Sequence, residues 1–222
     1  MRRAAAAPVP ETRLVLHIGL PKTGTSAIQH VLAAGASELA EVGLHVPYPH
    51  PDAVRGAVTA GNGAPLFGAV TAASTPAAMR DAAAVWLAGA VAPGQTSIVS
   101  SELLGTLSTA RVTAVVEAAT ELAEVEVVAF VRDVYEHAYA AWGQLTKEGF
   151  TESFERYCAE TYATDSEQTV AVLRWADAVP GMAVCHYDTH RHDVLETLFE
   201  AIGTKLPAPL RDRPVPQVNR SL

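Results

Sequence analysis

The sequence predicts a three-layer α/β/α fold, in which helices cover both faces of a central parallel sheet of four or five strands. Residues 14–18 form a nearly continuous apolar run, typical of a buried parallel strand, and the runs at 96–100 (TSIVS) and 126–131 (EVVAFV) are also predicted to be strands. Segments with helical periodicity separate these runs, and such alternation favours parallel pairing. The length of 222 residues suits one domain with a sizeable core. We therefore expect a disordered leader at residues 1–12 and a single domain over 13–222.

Strands and helices are predicted in regular order along the chain. The strands are expected at residues 14–18, 43–48, 96–100, 126–131 and 182–187. The helices are expected at residues 26–36, 76–91, 109–123, 134–147, 152–160, 166–178 and 192–202. Prolines and glycines at 47–66 indicate an irregular loop, which could carry substrate contacts. Ligands in such folds bind at the carboxyl ends of the strands.

Composition and charge exclude several classes of protein. The net charge of −8 lacks the basic excess of a protein that binds nucleic acid non-specifically. No apolar run reaches the roughly 18 residues of a membrane span. The cysteines, Cys158 and Cys185, form neither a metal-ligand spacing nor a disulfide framework. We expect a cytoplasmic protein that holds no metal.

The loop GLPKTGTS, residues 19–26, follows the first strand and opens the first helix. Gly19 and Gly24 have the spacing of the phosphate-binding pattern G-x-x-x-x-G-K-[ST], but Thr25 occupies its lysine position and the loop carries Lys22 instead. Gly24 permits close approach of an anion, and the N–H groups at the helix start favour negative charge. Further hydroxyl donors are those of Thr23, Thr25 and Ser26. An anion site is therefore favoured over a plain tight turn with a surface lysine.

The sequence is less well suited to an enzyme that uses ATP. A magnesium-dependent kinase or NTPase also needs an aspartate at the end of an apolar strand, and the candidates Glu102 and Asp133 fit poorly. A sulfuryl group bears less negative charge than a terminal phosphoryl group, so its transfer can rely on lysine and backbone dipoles without a metal. A kinase-like enzyme using Mg-ATP remains an alternative, as does a non-catalytic nucleotide-binding protein on the same scaffold.

The segment HIGLPKTGTS resembles the 5′-phosphosulfate-binding loop of sulfotransferases that use 3′-phosphoadenosine 5′-phosphosulfate (PAPS), the bacterial members above all. Three later segments are similar to further family elements and stand in family order. VVAFVRDVYEHAYAAW resembles the strand–Arg–helix element that holds the 3′-phosphate, and AVCHYDTHRHDVLETLFEAIG resembles the late strand, the Tyr-acidic pair and the last helix. VNRSL resembles the C-terminal loop that covers the nucleotide. The resemblance spans Leu14 to Leu222 and implies the sulfotransferase variant of the P-loop NTPase-like fold.

The resemblance also implies roles for individual residues. Lys22 would contact the bridging oxygen and the sulfuryl group, and the loop residues after it would contact the 5′-phosphate. Arg132 would hold the 3′-phosphate, Tyr187 would lie near the adenine or its ribose, and Arg220 would close over the nucleotide. The implied nucleotide-binding residues are Pro21, Lys22, Thr23, Gly24, Thr25, Ser26, Arg132, Tyr187 and Arg220.

One position departs from the family pattern. The family usually has a serine eight residues after the strand-end arginine, and this chain has Ala140 there. The 3′-phosphate would lose one hydroxyl donor, which His137, Tyr139 or Arg220 could replace.

Sulfuryl transfer to an alcohol needs a base that takes the hydroxyl proton, and the family uses His or Glu. Glu102, at the end of the third strand, is the first candidate, although a carboxylate stabilised by a helix dipole explains it equally well. His50 is a second candidate in the proline-rich loop. The predicted catalytic residues are Lys22, Glu102 and His50. The predicted activity is transfer of the sulfuryl group of PAPS to a hydroxyl or amine of a small molecule or glycan.

Overall fold

Five parallel strands form the centre of the computed structural model, which describes residues 11–162 and 167–211. The strands are β1 (Arg13–His17), β2 (Leu44–His45), β3 (Thr96–Ser100), β4 (Glu124–Val131) and β5 (Ala183–His186). Their order in the sheet is β2-β3-β1-β4-β5, and every neighbouring pair is parallel. In this register Val15 of β1 lies between Ile98 of β3 and Glu126 of β4. The carboxyl ends of β1, β3 and β4 therefore meet at one edge of the sheet.

Twelve α-helices lie between and after the strands within the described residues. They are α1 (Thr25–Ala34), α2 (Ala36–Ala40), α3 (Pro51–Val54), α4 (Ala64–Ala72), α5 (Pro76–Ala90), α6 (Thr109–Thr120), α7 (Val134–Lys147), α8 (Phe154–Tyr157), α9 (Glu167–Ala178), α10 (Tyr187–His190), α11 (Val194–Ala201) and α12 (Ala208–Arg211). A 3-10 helix at Glu102–Thr106 and a π-helical turn at Cys158–Tyr162 complete the elements. No helix in the described ranges is long and apolar enough to cross a membrane.

Helices cover both faces of the sheet because side chains of a strand alternate between its faces. Leu14 and Leu16 of β1 pack on one face with α5, α6 and the fully buried Trp175 of α9. Val15 of β1 and Phe130 of β4 pack on the other face with α1 and α11. The predicted three-layer α/β/α fold with a central parallel sheet is confirmed.

The first half of the chain contains more helix than the sequence predicts. The expected helix at 26–36 ends earlier and is followed by α2, with Gly35 between them, where a Cβ would lie 2.4 Å from Leu210 Cδ2. The expected loop at 47–66 contains α3 and the start of α4. The expected strand at 43–48 shortens to two paired residues, since Pro47 has no N–H to donate to a neighbouring strand.

Smaller differences occur in the second half. The expected helix at 152–160 is the short α8, which begins after Ser153, followed by the π-helical turn. The first residue of the expected helix at 166–178 lies outside the described residues, and α9 covers the rest. The last strand ends at His186, so that Tyr187 opens α10 instead of ending the strand. The side chain of Tyr187 therefore leaves the sheet at its carboxyl edge.

Candidate active site

The loop between β1 and α1 is held in shape by its own threonines. Thr23 is fully buried, and its hydroxyl donates to the Leu20 carbonyl at 2.6 Å and accepts from the Leu20 N–H at 3.2 Å. The hydroxyl of Thr25 also donates to the Leu20 carbonyl, at 3.1 Å. These two hydroxyls, expected as donors to an anion, are engaged within the loop. Ser26, which is half-buried, carries the remaining hydroxyl of the segment.

The start of α1 has no side-chain cap. Gly24 precedes the helix with φ 79°, a left-handed conformation that suits glycine, and no side chain caps the helix. The first N–H groups of a helix have no partner within it, so those of Thr25 and Ser26 need an external acceptor. A Cβ on Gly24 would lie 2.9 Å from Cε2 of Tyr187, which shows that this tyrosine packs directly on the loop. The arrangement can bind a phosphate group.

Lys22 is the cation of this loop. It has φ 64°, a left-handed conformation that is uncommon for a residue with a side chain and occurs preferentially at functional sites. Its Nζ donates to Oε1 of Gln144 in α7 at 3.1 Å. Burial lowers the pKa of the Lys22 ammonium, and Lys147 lowers it further, whereas the negative charge of Glu102 acts in the opposite direction. The negative charge of Glu102 thus favours the protonated form of Lys22.

Glu102 reaches the loop because residue 19 is a glycine. A Cβ on Gly19 would lie 2.5 Å from Cα of Glu102, so any larger residue would push the end of β3 away. The carboxylate follows β3 as the first residue of the 3-10 helix. Burial raises the pKa of Glu102, and the neighbouring Lys22 opposes that rise. A half-buried carboxylate with increased proton affinity suits a general base.

A cavity of about 220 Å³ lies beside Glu102. Its lining residues are Leu20, Pro21, Glu102, Gly105, Thr106, His137, Gln168, Val170, Ala171 and Arg174. Two residues of the phosphate loop and the candidate base thus share one wall, while α7 and α9 supply the others. The cavity can admit a small molecule to the carboxylate of Glu102.

Arg132 is fixed at the end of β4 by partners from two other elements. Its guanidinium donates to Oδ1 of Asp188 through Nε at 3.0 Å and lies over the ring of Tyr187, 5.4 Å from the centroid. Its backbone N–H and carbonyl both pair with the amide of Gln168, at 2.8 and 2.9 Å. Partial burial disfavours the ionised form of Asp188, but donation from the Asp133 N–H and from Arg132 outweighs it, and the pKa of Asp188 is lowered.

The residues considered as substitutes for the missing serine at Ala140 lie in different surroundings. His137 is buried and lines the cavity beside Glu102, where its Nδ1 lies 2.9 Å from the hydroxyl of Tyr162. Burial lowers the pKa of His137, and the Pro21 carbonyl partly offsets this shift. Tyr139 is 44% exposed and packs against Trp142 and Phe154, so its ring belongs to a surface aromatic cluster. Arg220 lies outside the described residues.

His50 lies apart from the pair of Lys22 and Glu102. It precedes α3, where its Nδ1 accepts from the Asp52 N–H at 3.1 Å. It lines a different, very small cavity together with Gln29. The structure thus gives His50 a helix-capping contact, while Glu102 shares its surroundings with the phosphate loop.

Three residues of this site were not identified from the sequence as contacts: Gln144, Gln168 and Arg174. Each lies on a helix far along the chain from the residue that it contacts. The only sequence signal nearby was the acidic residue after Tyr187, namely Asp188, which the structure shows bound to Arg132.

Comparison with solved structures finds sulfotransferases among the similar chains. A sulfotransferase from Alicyclobacillus acidocaldarius has a TM-score of 0.48 at 15% identity, over 94% of this chain and 90% of that one. The sulfotransferase domain from the curacin biosynthetic pathway has a TM-score of 0.44 at 14% identity, over 92% and 77%. The sulfotransferase domain from the Synechococcus PCC 7002 olefin synthase has 0.42 at 12%, over 90% and 76%. No protein-family model and no curated protein matches the chain. The strand order and the parallel register define the fold.

Proposed function

We propose that this chain transfers a sulfuryl group from PAPS to a hydroxyl or amine of a small molecule. The observation that carries the proposal is the packing of Glu102 against Gly19 of the phosphate loop, where Glu102 lines one cavity together with Leu20 and Pro21. A cation beside an anion-binding loop and a base beside a cavity are the two groups that sulfuryl transfer requires.

The residues present fit the two ends of PAPS. The uncapped N–H groups of Thr25 and Ser26 offer donors for a 5′-phosphate. Arg132 offers a guanidinium for a 3′-phosphate, and Asp188 orients that guanidinium through a charge-assisted hydrogen bond. Tyr187, which contacts both the loop and Arg132, offers a ring face between the two phosphate sites.

When bound, PAPS supplies an activated sulfuryl group, and the side chains at the loop perform the remaining tasks. Glu102 accepts the proton of the acceptor hydroxyl as the bond from its oxygen to sulfur forms. Lys22 compensates the negative charge that develops on the bridging oxygen as the bond from that oxygen to sulfur breaks. The half-buried setting of both groups strengthens these interactions, because the effective dielectric constant is lower there than in water.

The contribution of Lys22 can be tested by sulfate transfer from PAPS to a panel of phenols, alcohols and amines, followed by mass spectrometry. We expect Lys22→Ala to lower transfer by roughly a hundredfold or more, as expected when a group that stabilises developing charge is removed. Lys205→Ala is the matched control, because Lys205 is exposed in the segment after α11. Equal transfer by the Lys22→Ala variant and the wild type would remove Lys22 from the mechanism.

A further inference from the structure

Arg174 is a cation in the same cavity as Glu102. It lies on α9, it is half-buried, and its Nη1 donates to the Leu107 carbonyl. Within residues 11–162 and 167–211 it pairs with no carboxylate, whereas six other arginines of these ranges do. In these same ranges one carbonyl binds its guanidinium, which therefore retains donors for an anion.

Arg174 is separate from the residues that would hold the nucleotide. The cavity lining includes neither the start of α1 nor Arg132 nor Tyr187. It shares with the phosphate loop only Leu20 and Pro21, which precede the lysine. An anion bound at Arg174 would therefore belong to the molecule that enters the cavity and not to the sulfuryl donor.

The 3-10 helix sets the separation between Glu102 and Arg174. Glu102 opens this helix, and Leu107, whose carbonyl binds Arg174, follows its last residue. At a rise of about 2 Å per residue, the two backbone positions are roughly 10 Å apart. Between them, Gly105 packs against Leu20, and a Cβ on Gly105 would lie 2.8 Å from Leu20 Cδ2. The wall thus has a base at one end, an apolar middle and a cation at the other end.

We propose that Arg174 binds the carboxylate of a compact acceptor whose hydroxyl group meets Glu102. This assignment rests on the proposed sulfotransfer and narrows its acceptor to hydroxy acids. A guanidinium binds a carboxylate through two parallel hydrogen bonds, which fixes the orientation of the acceptor as well as its affinity. The cavity volume of about 220 Å³ suits a single ring with a short acidic side chain.

Calorimetry can test this assignment with para-hydroxyphenylpropionate and its matching amide, which differ only in the charged group. In the presence of saturating 3′,5′-adenosine bisphosphate, we expect the acid to bind about tenfold to a hundredfold more tightly than the amide. Arg174→Gln should reduce the affinity for the acid to that for the amide. Arg174→Lys should keep part of the preference, because it retains the charge without the planar fork.

Arg111→Gln is the matched control, because Arg111 also donates to backbone carbonyls, those of Val70 and Thr71, and does not line the cavity. This variant should keep the full preference for the acid. Equal affinities of the wild type for acid and amide, no binding of either, or a preference that survives in Arg174→Gln would each overturn the assignment. Binding of the bisphosphate, measured separately in every variant, reports on the sulfotransfer proposal. A variant that loses the acid preference but binds the bisphosphate normally is correctly folded.

Discussion

Replacing Gly24 by alanine tests the contact between the phosphate loop and Tyr187. Gly24 has φ 79°, and a residue with a Cβ in this conformation costs about 1–2 kcal/mol. The new Cβ would lie 2.9 Å from Tyr187 Cε2, about 0.5 Å closer than an ordinary contact of 3.4 Å. The ring cannot move freely, since Arg132 lies over it and is held by Asp188. Overpacking of this kind costs about 1–3 kcal/mol in addition.

Gly43→Ala separates the two contributions. Gly43 has φ 80°, and an added Cβ would meet no heavy atom within 4 Å in the described residues. Urea unfolding should therefore show a loss of about 1–2 kcal/mol for Gly43→Ala and about 2–5 kcal/mol for Gly24→Ala. Only Gly24→Ala should also weaken binding of 3′,5′-adenosine bisphosphate. Equal losses of stability in the two variants, with unchanged nucleotide affinity, would refute the packing of Tyr187 on the loop.

Two further predictions concern pH. The rate of sulfate transfer should follow a bell-shaped profile, because Glu102 must be deprotonated and Lys22 protonated. Its acidic limb should lie above the ordinary glutamate pKa of 4.5 and its alkaline limb below the ordinary lysine pKa of 10.5, and Glu102→Gln should remove the acidic limb. The second prediction is that His17→Asn makes the free energy of unfolding less dependent on pH in acid. Burial lowers the pKa of His17 from 6.5 to about 4, so stability is complete above pH 6.5 and decreases toward pH 4, by about 3 kcal/mol from this group. Asparagine can keep a polar contact to the hydroxyl of Ser100, which lies 2.8 Å from His17 Nδ1. The free energy of unfolding in urea would be measured for both proteins between pH 4 and 6.5, and an equal loss on acidification in the two would contradict the prediction.

The phosphate loop could be predicted from the sequence because its strand, its turn and its helix are contiguous. The spacing of Gly19 and Gly24 is that of a phosphate-binding turn, which needs glycine conformations at both positions. Both glycines adopt positive φ in the structure. Lys22 was identified from the same eight residues. The partners of the threonine hydroxyls could not be predicted from the sequence. Thr23 and Thr25 both donate to the Leu20 carbonyl, a contact that depends on the path of the turn.

Helix α4 was not predicted because its sequence, APLFGAVTA, is apolar on all sides. A helix that presents no polar stripe gives no helical periodicity, and proline and glycine within it resemble loop signals. Its buried residues Leu66 and Val70 pack in the core with α5 and α6. Tertiary burial, which a local pattern does not show, therefore stabilises this helix.

Contacts between distant segments could not be predicted from spacing. The pairing of Arg132 with Asp188 depends on β4 lying beside β5, which the strand order decides. The approach of Glu102 to Gly19 depends likewise on β3 lying beside β1. Arg174 reaches the cavity because α9 packs across the end of the 3-10 helix. The sequence could name candidates at the strand ends, but it could not say which of them meet.

Calorimetric comparison of 3′,5′-adenosine bisphosphate with ADP tests the proposed donor most directly. The two ligands share an adenosine with a 5′-phosphate, and only the bisphosphate carries a 3′-phosphate for Arg132. We expect the wild type to bind the bisphosphate at least about tenfold more tightly, and Arg132→Gln to remove that preference while affinity for ADP stays the same. Equal affinities, or a preference for ADP that increases with magnesium, would contradict the account and favour a kinase-like enzyme.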